Sequence, residues 1–85
     1  MPLYIICTLS KTGRYVNTAT RSRKRAEIAA AHVARGLTAD GWSLEQIQDV
    51  DEMEPAGVPA VVQVYHLSNT GGRWFNVELY AVAEG

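Results

Sequence analysis

The sequence predicts an α+β fold: a single four- to five-stranded antiparallel sheet with one alanine-rich helix packed on one face, in the order β-(β)-α-β-β-β. Three observations carry this. Runs of β-forming residues lie at both ends of the chain, the second broken by a Gly-Gly turn. One segment between them has apolar residues at helical spacing. The length, 85 residues with 47% hydrophobic residues, suits one domain spanning residues 1–85 and is too short for two.

Leu3 to Leu9 is short and rich in β-formers, so it reads as a strand, with Leu3, Ile5, Cys7 and Leu9 expected on one apolar face. Lys11 to Arg14 is a turn, and Arg14 to Thr18 alternates well enough to pair back as a short second strand. A helix is expected from Arg21 to Arg35, capped by Thr20 or Ser22 and stopped by Gly36. At 100° per residue, Ser22, Ala26, Ala29, Ala30, Val33 and Leu37 share one face, while Arg21, Lys24, Ile28, His32 and Arg35 share the other. The alanines allow the helix to lie close on a sheet.

From Trp42 to about Val50 the period is ambiguous, because Trp42 and Leu44 alternate but Leu44, Ile47 and Val50 are three apart. A bulged strand is the favoured reading; a short helix starting at Ser43, with Gln46 as capping-box partner, is the alternative. Asp49 to Pro59 is an acidic, Pro-bounded loop. Ala60 to Leu67 is a strand, Ser68 to Gly72 a hairpin loop, and Arg73 to Val82 a closing strand. In that strand Phe75, Val77, Leu79 and Ala81 face one way; Trp74, Asn76, Glu78 and Tyr80 face the other. One helix covers only one face of such a sheet, so the second face must be tolerably polar or be covered by something else. The expected residues there are Tyr4, Tyr65, Trp74, Asn76 and Tyr80.

Charge is unevenly distributed. Seven of the eight Lys and Arg residues precede residue 36, opposed there only by Glu27; residues 36–60 hold six carboxylates and no cation. The net charge is nevertheless −1. One pole, Arg21, Arg23, Lys24, Arg25, Ile28, His32 and Arg35, sits on the helix. Its first turn is cationic, where the helix dipole favours acids, an arrangement that suits an anionic or acidic partner. The other pole, Asp49, Asp51, Glu52 and Glu54, is a solvated loop or a mimic of nucleic-acid charge.

No catalytic constellation is visible. Cys7 reads as inert filling, His32 and His66 are isolated, and the carboxylates crowd into one segment rather than facing each other from rigid elements. Gly71-Gly72 lies between antiparallel strands and is a turn, not a phosphate cradle. One cysteine and two histidines argue against a disulfide or a structural zinc site, and no cofactor is expected. With no leader-like segment and no long apolar run, a cytoplasmic protein without membrane contact is expected.

The strand Tyr4–Leu9, the polar hairpin Lys11–Arg14, the helix entered through Thr20 to Arg25 with Ala26, Ala29 and Ala30, and closing strands that include Arg73, Trp74 and Phe75 together define a layout. It resembles the β-α-β-β type of small phage-encoded anti-CRISPR protein. The resemblance is architectural over most of the chain, so no site residues carry over. It implies a non-enzymatic inhibitor that binds a CRISPR surveillance complex in a bacterial host cell and occupies its nucleic-acid-binding or recruitment surface. Two further readings stay open: a nucleic-acid-binding module using the basic helix start, and a homodimer packed through the sheet face Tyr4, Tyr65, Trp74 and Tyr80.

Overall fold

The fold was described from a computed structural model, which describes residues 2–50 and 59–83. Five strands and one helix follow in the order β1 (Leu3–Ser10), β2 (Gly13–Thr20), α1 (Arg23–Ala39), β3 (Ser43–Asp49), β4 (Pro59–Ser68) and β5 (Trp74–Val82). They form an open five-stranded sheet in the spatial order β2-β1-β5-β4-β3, antiparallel throughout. The expected α+β architecture is therefore the observed one. The two most apolar strands, β1 and β5, take the central positions, where both edges are paired with neighbouring strands. The more polar β2 and β3 take the edges, and each carries a register shift that blunts an exposed edge.

Several boundaries differ from the sequence reading. β2 runs to Thr20 instead of ending at Thr18, because its hairpin partner β1 continues opposite it, Tyr4 pairing with Thr20. The helix begins two residues later than expected, at Arg23. Ser22 is its N-cap, its Oγ accepting from the Arg25 N–H at 3.3 Å. Gly36 does not stop it. The helix runs on to Ala39, and Gly41, at φ 99°, supplies the left-handed residue. The Gly41 N–H donates to the Thr38 carbonyl (3.2 Å) and the Trp42 N–H to the Leu37 carbonyl (3.1 Å). That pairing is a Schellman closure, with Leu37 and Trp42 both packed on the core.

The β3 ambiguity resolves as a bulged strand. The register shift falls between Leu44 and Gln46, so Leu44 pairs with Leu67 and Ile47 with Tyr65, both on the helix side of the sheet. One extra residue turns a spacing of three into a shared face.

The core lies between helix and sheet. Ala26, Ala30 and Ala34, at i, i+4 and i+8, meet Ile6, Leu67, Val77 and Leu79, all buried. Tyr4, Ala29, Val33, Leu37, Trp42, Val62, Tyr65 and Phe75 close the margins. This corrects the expected face of β1. Ile6 and Tyr4 face the helix, whereas Cys7 pairs with Glu78 and Ile5 with Tyr80 on the open side. A central strand is apolar on both faces, so its own alternation does not say which face is which. Tyr4 and Tyr65 accordingly leave the open face, while Trp74 and Tyr80 stay on it, as β5 alternation requires. Among the described residues no helix is long and apolar enough to cross a membrane.

Candidate interaction surface

Directly opposed residues of an antiparallel pair share a face, so the registers define the open side row by row. One row runs Val16, Cys7, Glu78, Val64, Gln48 from edge to edge; the next runs Arg14, Leu9, Asn76, His66, Gln46. On the other side of Glu78 the row is Ala19, Ile5, Tyr80, Val61, followed by Leu3 and Val82. Leu3, Ile5, Leu9, Val61, Tyr80 and Val82 are each only part-buried, with no second layer above them among the described residues, and Val16 is 69% exposed. On strand spacings of about 4.8 Å and a rise of about 3.3 Å per residue, such a sheet presents roughly 600 Å² before side-chain relief. That approaches the ~800 Å² per partner that a stable interface buries.

At its centre is a carboxylate. Glu78 is 6% exposed, and an isolated buried carboxylate is penalised by several kcal/mol. Its partners are local. Arg14 Nε donates to Oε1 at 2.9 Å, Arg14 Nη2 reaches Oε2 at 3.5 Å, and the Tyr80 hydroxyl donates to Oε2 at 3.0 Å. The guanidinium, half exposed, crosses β1 from the edge strand and also lies 5.6 Å from the Tyr80 ring centre, a cation–π contact. Burial and the hydrogen bond to Glu78 push the Tyr80 phenol up to about 12. Burial, then the neighbouring Glu78 charge, also raise the Cys7 pKa, keeping that 4%-exposed thiol protonated. His66 lies between the amides of Asn76 (3.2 Å) and Gln48 (3.3 Å).

Chemically the cluster is self-satisfied. Its carboxylate has donors, its thiol is held in the unreactive form, and its cation is paired. It neutralises the centre of a face that is apolar around Ile5, Val61 and Tyr80 and polar around Asn76, His66, Gln46 and Gln48. Among the described residues, no three His, Cys, Asp or Glu side chains gather as a metal site would require.

The other predicted residues fall elsewhere. Arg23, Lys24, Arg25, Ile28, His32 and Arg35 are exposed on the helix, and Arg21 just precedes it, so the structure brings them together away from the open face. Ile28 is 61% exposed, and Arg23 Nε pairs with Glu27 at 3.1 Å, one turn on. Asp49 ends β3 and accepts from Gln63 Nε2 at 2.9 Å. Asp51, Glu52 and Glu54 lie outside the described residues. The sequence reading missed Arg14, Cys7 and Glu78 as a unit. Glu78 was visible as a charge on the open side of β5, but its pairing with Arg14 depends on two strand registers across β1.

Compared with protein-family models, with curated proteins and with solved structures, the chain matches none.

Proposed function

We propose that this protein is a non-enzymatic binding protein that acts by covering a surface of a protein partner with the open face of its sheet. One observation carries this: a partly apolar sheet face, uncovered among the described residues, whose buried carboxylate is already neutralised from within. A partner can dock there without stranding a charge. The architectural resemblance supplies the partner we propose, a CRISPR surveillance complex inhibited by occupancy, with the basic helix on the opposite side of the molecule.

The test is a gel shift of a surveillance complex on its target DNA, with DNA alone as control. The wild-type protein is expected to abolish the complex shift and leave the free duplex target DNA unmoved. Leu9→Lys, on the open face, is expected to lose inhibition while still melting cooperatively; Ile28→Lys, on the helix, is expected to keep it. The reverse ranking would assign the work to the helix. No inhibition by the wild type would reject this partner.

A second reading, a homodimer joined face to face, is favoured by the formal neutrality of the Arg14–Glu78 centre, since two such faces do not repel. Light scattering at twice the 9.3 kDa chain mass, lost in Leu9→Lys, would establish it.

A further inference from the structure

At one end of the sheet, away from Glu78, a cleft of about 730 Å³ opens between the β1–β2 turn, the start of β3 and the β4–β5 hairpin. That volume is within the range of ligand sites, roughly 300–1,000 Å³. Lys11 and Thr12 form one wall, Trp42 and Phe75 the floor, and Arg73 and Trp74 the other wall. The floor is fixed: the Trp42 and Phe75 rings meet edge to face, with centroids 5.5 Å apart, and both pack on the core.

The hairpin wall is also rigid. Asn69 Oδ1 accepts from the N–H groups of Gly71 and Arg73, each at 3.0 Å, and the Asn69 N–H donates to the Arg73 carbonyl. Gly72, at φ 76°, allows the chain to turn there and leaves the space beside it empty. Trp74 is the exposed aromatic of the set, 44% accessible.

Two features identify the ligand chemistry. The cleft exposes an indole with no intramolecular ring partner among the described residues. It also carries two cations, Lys11 and Arg73, and among the described residues neither forms an ion pair and no carboxylate lines the cleft. An apolar peptide would leave both cations without a counter-charge; a simple anion would leave the indole bare. A planar base joined to a phosphate satisfies both, by stacking and by charge. We propose that this cleft binds a nucleotide unit of single-stranded nucleic acid, the base stacked on Trp74 and the phosphate held between Lys11 and Arg73. This site shares Trp74 with the margin of the open sheet face and lies apart from the basic helix.

The experiment is fluorescence anisotropy of a labelled oligothymidylate at low salt, with tryptophan quenching recorded in the same titration. Binding with quenching is expected. Trp74→Ala should weaken it roughly fivefold or more, given the worth of a base–aromatic stack. Lys11→Glu and Arg73→Glu should each lower the log–log salt slope by about 0.7. All three positions are at the surface, and circular dichroism verifies that each variant is folded. Reversing Arg23, Lys24 and Arg25 together should leave affinity within about twofold at moderate salt, where distant charges are screened. The proposal is overturned by any of three results: no binding at low salt, binding lost only in the helix variant, or thymidine monophosphate competing as tightly as the oligomer.

Discussion

Glu78 shows what a single side chain can do to its neighbours. Buried on a sheet face with no second layer among the described residues, it recruits Arg14 from across β1 and Tyr80 from its own strand. The consequence is measurable at Tyr80, whose phenol is raised from 10.0 to about 12 by burial and by its bond to Glu78. A raised folded value for an acid means that the neutral form is favoured by folding. The contribution is complete below pH 10, the unfolded value, and is lost as pH climbs through 12. In a spectrophotometric titration, Tyr80 is expected to give a late ionisation step near pH 12. Tyr80→Phe should remove that late step and flatten the fall in stability above pH 10 relative to wild type. A titration of Tyr80→Phe superimposable on the wild type would contradict the assignment. The sequence shows Glu78 and Tyr80 two apart on one face, but not that Arg14, 64 positions away, completes the set.

At the level of elements, the two glycines near the helix end have opposite roles. Gly36 is inside α1, where glycine weakens a helix by about 0.5–1 kcal/mol relative to alanine, and a Cβ there would meet nothing within 4 Å. Gly36→Ala is therefore expected to raise the denaturation midpoint. Gly41 sits at φ 99°, where an alanine is strained by about 1–2 kcal/mol. Gly41→Ala should lower the midpoint by a comparable or larger amount, and urea titrations of the pair read the contrast directly. If the helix ended at Gly36, as its sequence position suggests, the two signs would exchange. The N-terminus behaves similarly. Arg23, Lys24 and Arg25 stand where the dipole favours acids, and no acid occupies the first turn. Lys24→Glu should stabilise the helix by about 0.3–1 kcal/mol at low salt, an effect that salt removes. The helix itself was legible because alanine spacing has a clear period. Its end was not, because a glycine in sequence does not reveal which residue needs positive φ.

For the whole molecule the decisive question is which face of the sheet the helix covers. Ile6 is fully buried under α1, so Ile6→Ala should lose about 2–5 kcal/mol. Ile5, on the open side, is expected to lose less than half as much in the isolated chain. Should the open face be covered by a second copy, the Ile5→Ala loss becomes concentration-dependent, which urea titrations at two protein concentrations would reveal. Had Leu3, Ile5, Cys7 and Leu9 been the inward set, the ranking would reverse. By itself the sequence determined the α+β class, the helix and its alanine face, and the alternation of β5, while the bulge near Leu44 was its favoured reading of an ambiguous period that the β3–β4 register decided. Each determined feature follows from a local period that neighbouring residues enforce. Only the tertiary structure decided the polarity of β1, the removal of Tyr4 and Tyr65 from the open face, the Arg14–Glu78–Tyr80 cluster, and the end cleft with Trp42 and Trp74. These depend on registers between strands distant in sequence. A central strand apolar on both faces carries no period of its own to announce them.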